Sequence, residues 1–122
     1  MSVNKEKLKD GRYFKVREFR CKHCGSTGDL KQSIIDLCDA VREQLGAPVV
    51  VNSGYRCPVH NRRVGGAALS RHTVGDAADV RPVDPALLPE LKRIALRLNP
   101  EGGVGMYRGF VHIDTRGRKA RW

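Results

Sequence analysis

Three polar residues restrict how this chain can fold. His72 and Asp79 stand seven residues apart, with Gly75 between them, in Ser70-Arg71-His72-Thr73-Val74-Gly75-Asp76-Ala77-Ala78-Asp79. His112 follows in Phe110-Val111-His112-Ile113-Asp114, inside an apolar run that reads as a strand. An unpaired imidazole is costly there unless something binds it. Two imidazoles and one carboxylate are a sufficient protein donor set for a catalytic zinc ion, with the fourth position left to water. Gly75 allows a tight turn, so His72 and Asp79 can converge without sharing a helix face. Alternation along the strand puts His112 and Asp114 on one face and Val111 and Ile113 on the other. Asp114 is then either a general base or a partner that orients a ligand. Spacing alone leaves a plainer reading open, in which a histidine and a nearby aspartate form a satisfied polar pair.

The rest of the chain supplies a scaffold of one domain, residues 1–122. That length can bury a real core without staples. Residues 1–20 read as an N-terminal extension that packs on the core through Tyr13, Phe14, Val16 and Phe19. Leu30, Ile34, Leu37, Cys38, Val41 and Leu45 recur at helical spacing, with Asp29 as N-cap and Gly46 as the glycine past the end. Residues 48–52 read as a short buried strand, and residues 53–70 as irregular and rich in turns. Residues 77–81 are a second strand candidate. Residues 87–98 form a second amphipathic helix, with Pro85 or Pro89 as its first helical residue. Residues 102–107 and 110–115 read as two strands joined by a turn at Arg108-Gly109. The expected class is α+β: a small antiparallel sheet, flanked by helices on one side, with long loops around one site.

The segment before His72 makes the pattern specific. Ser53-Gly54-Tyr55-Arg56, Asn61, Val64-Gly65-Gly66-Ala67, Ser70, His72, Gly75, Ala77 and Asp79, then Gly103, Gly105 and Tyr107, then Val111-His112 and Asp114 keep a fixed spacing. This series resembles the LAS-type zinc peptidases. Those are the D-alanyl-D-alanine carboxypeptidases and L-alanyl-D-glutamate endopeptidases of bacteria and their phages, whose fold is shared with the signalling domain of hedgehog proteins. The resemblance runs from about Phe14 to Trp122. It implies that His72, Asp79 and His112 are zinc ligands and that Arg56 holds a substrate carboxylate or carbonyl. A guanidinium fork suits that role, with a surface salt bridge as the plainer alternative. It implies that Ser70 and Tyr107 lie near the bound peptide; for Ser70 the alternative is a loop cap. The chain also departs from the family. Many members carry a glutamate or aspartate three residues before the last histidine, and others a histidine two before it. Here those positions are Gly109 and Phe110, and neither can move a proton. Asp114 is the nearest carboxylate and the candidate catalytic base; its alternative is a salt bridge to Arg56 or Arg116.

The cysteines leave three readings. Cys21-Lys22-His23-Cys24 has zinc-knuckle spacing, and Cys57 could complete a second, structural metal site with His23 or His60. A disulfide such as Cys21–Cys57 is the second reading, and free thiols are the third. Cys38 falls on the apolar stripe of the first helix and reads as a small hydrophobe.

Charge bears on partners. Lys and Arg number 23 against 13 Asp and Glu, a net charge of +10. That balance favours polyanionic surroundings, such as nucleic acid or an anionic cell wall. The densest basic run, Arg116-Gly117-Arg118-Lys119-Ala120-Arg121, holds only Trp122 as an aromatic, so specific nucleic-acid binding is not expected. No apolar run approaches the roughly 18 residues of a membrane span. The polar start lacks a signal core, so the chain is expected to be made in the cytoplasm and to act in the periplasm or cell wall after release. The resemblance therefore implies a monomeric zinc peptidase on the peptidoglycan stem peptide, of the kind phages use in lysis. Its rival is a non-catalytic zinc-containing module that binds a peptide or protein.

Overall fold

The computed structural model describes residues 8–67 and 70–122. In chain order its elements are α1 (Gln32–Leu45), β1 (Val49–Ser53), α2 (Pro58–Arg63), α3 (Arg71–Val74), β2 (Ala77–Pro82), α4 (Leu88–Leu98), β3 (Gly103–Met106), β4 (Val111–Asp114) and β5 (Ala120–Arg121). The apolar stripe of α1 buries Ile34, Ile35, Cys38 and Val41. Asp29 does not cap this helix. Lys31 is the N-cap, in extended conformation, and its N–H donates to Gly75 O at 2.8 Å. That bond to a neighbouring loop keeps the chain extended past Asp29. Gly46, at φ 70°, ends the helix in the left-handed region, where a glycine costs least. A 3-10 turn at Pro85–Leu87, capped by the Asp84 side chain, leads into α4. Proline therefore starts the turn, and Pro89 sits in the first turn of the α-helix that follows.

The five strands run in the order β1-β2-β4-β3-β5. Every pairing is antiparallel except that of β5, which lies parallel to β3. The sheet is therefore mixed rather than wholly antiparallel, and the basic tail supplies the extra strand. Its register decides which face carries chemistry. Ala78 pairs with Ile113 and Val80 with Val111, and these side chains join Ile34, Ile35, Leu91 and Ile94 in the core. Residues of the opposite parity face away from the helices. Asp79 pairs with His112, so their side chains are neighbours on that second face. Gly103 and Gly105 lie opposite Asp114 and His112. The site thus stands on the sheet face opposite α1 and α4, with α3 beside it.

Phe14 and Phe19 meet edge to face at 6.1 Å and are buried. Leu8, Tyr13 and Val16 pack against the same core, and residues 1–7 lie outside the described residues. Among the described residues, no helix is long and apolar enough to cross a membrane. Helix α4 contributes to the core mainly through Leu91, Ile94 and Ala95. Ile94→Ala is expected to cost about 2–5 kcal/mol, because the closely packed site cannot fully collapse around the missing methyls. Urea unfolding should show a lower midpoint with an unchanged slope.

Candidate metal centre and its cleft

His72 sits on the single turn of α3. Ser70 caps that turn, its Oγ accepting from His72 N at 3.1 Å, and Gly75 ends it at φ 93°. The chain then turns into β2, and Asp79 arrives as the third residue of the strand. Asp79 Oδ1 lies 3.2 Å from His72 Nε2 and 2.9 Å from His112 Nδ1. One donor atom from each of the three residues falls within 4.8 Å of the others. The turn, legible in the sequence, and the pairing of β2 with β4 converge on one point.

The outer ring nitrogens define the chemistry. His72 Nδ1 is 2.8 Å from Gly54 O, and His112 Nε2 is 2.7 Å from Asp114 Oδ2. Each ring therefore faces an acceptor at both nitrogens. A neutral imidazole has one N–H, so it can satisfy only one of them. Two imidazolium rings with centroids 5.1 Å apart would repel one another. A divalent cation would resolve the conflict. The outer N–H of each ring could then donate to its carbonyl or carboxylate, which would leave both inner nitrogens and Asp79 to hold the ion. The residues present thus fit a zinc ion.

Ionisation follows the same geometry. Burial opposes the charge on Asp79, but hydrogen bonds from His112 and His72 outweigh it and hold the carboxyl at about 2. Burial also opposes the charge on His112, yet Asp114 and Asp79 raise its pKa above the ordinary imidazole value. Asp114 is fully buried; desolvation works against its charge, and Arg116 and His112 prevail, keeping it well below the usual carboxylate range.

Asp114 is placed differently from a general base. Its Oδ1 accepts from Arg116 Nε at 2.8 Å and from Gly103 N at 3.1 Å. Its Oδ2 accepts from Arg116 Nη2 at 2.8 Å and faces His112 Nε2. The carboxylate lies on the ring edge away from Asp79, so it does not face the point where the three donors meet. The role of base does not fit this position. Orienting His112 does, and the salt bridge weighed for Asp114 is the one to Arg116.

A family model described as peptidase M15 matches residues 12–114. The chain belongs to the M15 peptidases. No curated protein matches it. M15 members are zinc metallopeptidases, in agreement with the donor set reached from geometry.

In this M15 peptidase the donors open into a cleft of about 630 Å3. Four arginines line it: Arg56, Arg71, Arg116 and Arg118. Arg71 is paired with Asp76 and Arg116 with Asp114. Among the described residues, Arg56 and Arg118 have no carboxylate partner. Arg56 donates to Asn61 Oδ1 at 2.9 Å and reaches Ser53 Oγ at 3.4 Å, while its backbone N–H donates to His72 O at 3.1 Å. The segment Ser53–Arg56 is thereby tied to the helix that carries His72. Ser70 lines the cleft but spends its hydroxyl oxygen on the cap. Tyr107 stacks on Phe110 at 4.6 Å and accepts from Trp122 Nε1 at 2.8 Å.

Sequence reasoning did not single out Trp122, Asn61 or α2. Trp122 packs against His112, with ring centroids 5.0 Å apart, and the Arg116 guanidinium lies over the indole at 5.3 Å from its centroid. Nothing in the spacing signalled it. Asn61 is buried; it accepts from Arg56 and donates to Ala67 O at 2.8 Å, and so joins the arginine to the glycine-rich loop. Its signal was its fixed place in the family pattern. Residues 58–63, expected to be irregular, form α2, capped by the Cys57 side chain. Pro58 starts it, and its polar sequence left no apolar stripe to read. The structure also brings Cys21, Cys24 and Cys57 together, while Cys38 is buried in the core.

The glycine opposite His112 has a measurable task. A Cβ at Gly105 would lie 2.4 Å from the Trp122 indole. Gly105→Ala is expected to displace that ring and cost about 1–3 kcal/mol through overpacking. Trp122 is the sole tryptophan, so its fluorescence emission reports the displacement directly.

Proposed function

We propose that this M15 peptidase uses zinc to hydrolyse the stem peptide of bacterial peptidoglycan, as a D-Ala-D-Ala carboxypeptidase or a murein endopeptidase. The observation that carries this reading is the convergence of His72, Asp79 and His112 in a cleft with two carboxylate-free arginines. Stem peptides carry free carboxylates, and Arg56 and Arg118 give them partners. The net charge of +10 suits an anionic wall, the polymer a phage lysis enzyme meets. We take the working species to be a monomer acting in the periplasm or cell wall.

His72 Nε2, Asp79 Oδ1 and His112 Nδ1 would hold the ion. When bound, zinc lowers the pKa of water toward about 7 and polarises a peptide carbonyl. The chain's own groups do the rest. Gly54 O and Asp114 each hold the outer N–H of one histidine and fix its ring. Arg116 keeps Asp114 ionised, so the His112 proton stays on Nε2. The two terminal nitrogens of Arg56 each keep a second hydrogen, which leaves a fork for a substrate carboxylate or carbonyl. Tyr107 accepts from Trp122, so its own O–H is free to donate to the peptide.

A second reading rests on one observation. Asp79 is the only acidic residue lining the cleft among the described residues, so no carboxylate is left over as a base. The same site on a non-catalytic module would hold a peptide without cutting it. Incubation with purified peptidoglycan separates the two. A carboxypeptidase releases free D-alanine, and an endopeptidase releases stem fragments, both resolved by mass spectrometry. Sedimentation with the wall and no released product would sink the enzymatic reading. Arg56→Lys is expected to lower kcat/KM about 10- to 100-fold, since a point charge cannot replace a two-pronged donor. An unchanged value would remove Arg56 from substrate binding.

A further inference from the structure

Behind the cleft lies a second group of donors that the peptidase chemistry does not use. Cys21, Cys24 and Cys57 offer three sulfurs within 4.8 Å of one another, and all are free thiols. Cys21 and Cys24 come from one tight knuckle. Cys21 N donates to Ser26 O at 2.8 Å, and Gly25, at φ 78°, donates its N–H to Cys21 O at 2.9 Å. Cys57 arrives from far along the chain, at the N-cap of α2.

Backbone N–H groups point at two of the sulfurs. Cys21 Sγ accepts from His23 N and from Cys57 N, each at 3.4 Å. Cys57 Sγ accepts from His60 N at 3.4 Å. Donors aimed at sulfur stabilise the thiolate, which is the metal-binding form. A disulfide between any two of the cysteines would leave the third sulfur unmatched. Three sulfurs in mutual reach suit a single ion better than a single bond.

The fourth position falls to the nearest ring. His23 Nδ1 lies 3.6 Å from Cys57 Sγ but not within 4.8 Å of all three sulfurs, so its exposed ring must turn inward to close the set. The His60 ring stacks parallel to His23, with centroids 6.0 Å apart, and so flanks the site without entering it. Three thiolates and one imidazole are a closed tetrahedral set, the kind that holds a structural rather than a catalytic zinc.

We infer that Cys21, Cys24, Cys57 and His23 bind a second, structural zinc ion, which clips the N-terminal segment to the loop that carries Arg56. The two segments already touch, with Tyr55 N donating to Phe19 O at 2.8 Å. Cys57 directly follows Arg56, so an ion at this site fixes the start of α2, whose Asn61 holds the guanidinium. The inference does not depend on the peptidase reading, because its test requires no turnover.

The test uses the full chain, purified anaerobically with thiols reduced. A His72→Ala/Asp79→Ala double variant disables the first site. Cobalt(II) titration of that variant should show one equivalent bound, with an intense sulfur-to-metal charge-transfer band in the near ultraviolet and tetrahedral d–d bands in the visible. Cys24 is exposed, so Cys24→Ser on this background should keep the fold while weakening cobalt binding at least about 100-fold. His23→Ala should retain the sulfur band and weaken binding at least about tenfold; unchanged affinity would remove His23 from the set. Elemental analysis of the same double variant gives an independent count, with one zinc ion per chain expected. A cobalt spectrum without the sulfur band, a double variant purified without zinc, or a disulfide among the three cysteines by alkylation and mass spectrometry would each overturn the inference.

Discussion

Asp79→Ala should lose zinc at the His72–Asp79–His112 site and lower stem-peptide hydrolysis at least about 1,000-fold. The carboxylate supplies one of three protein donors and the only negative charge among them. Without it, two buried histidines face each other with nothing between to neutralise the ion. Loss of the several kcal/mol of charge stabilisation that a catalytic ion provides corresponds to a rate loss of about that size. Calorimetric zinc titration and product release by mass spectrometry read the two effects. Retained activity in this variant would mean that the donor set is not the catalytic centre.

Asp114 carries the second large effect, and two substitutions separate its roles. Asp114→Ala leaves Arg116 without its carboxylate and removes the acceptor of His112 Nε2. Removing one partner of such a buried pair is expected to cost about 3 kcal/mol or more, seen as a lower urea midpoint. Asp114→Asn keeps the shape and removes the charge. If Asp114 positions His112, this variant should bind zinc about 10- to 100-fold more weakly and regain most of its kcat at saturating zinc. If Asp114 were the base, zinc affinity would be unchanged and kcat would stay low at any zinc concentration. The two outcomes do not overlap.

The core elements of the fold were legible because they rest on periodicity. The stripe of α1 and the inner face of α4 follow from burial on one side, while β4, buried on both faces, shows its alternation only in residue type. The meeting of His72, Asp79 and His112 was legible as a pattern of residue types and turns. Its geometry required the register that sets Asp79 opposite His112. What stayed hidden depended on rotamers and on contacts between distant segments. The sequence places Asp114 on the face of His112, but not on a particular edge of its ring. Lys31 replaces Asp29 as helix cap because Gly75 O, remote in sequence, takes its N–H. The basic tail stood out in the sequence only as the densest basic run. Two of its residues instead form β5, and Arg121 donates to Gly102 O and Asn99 O. Gly103 and Gly105 stood in the sequence only as strand residues of fixed spacing. Their task is to leave room for Asp114 and Trp122 on the sheet face.

In the proposed function, one ion held by His72, Asp79 and His112 makes this cleft cut a stem peptide. The most direct measurement is mass spectrometry of a purified stem peptide incubated with the intact chain. The assay is run as purified, after chelation, and after zinc is returned to the chelated protein. The expected result is cleavage at one bond, its loss on chelation, and its recovery with zinc in the unsubstituted chain but not in Asp79→Ala. Cleavage that survives complete removal of the metal, or an uncut peptide at full zinc occupancy, would contradict the claim.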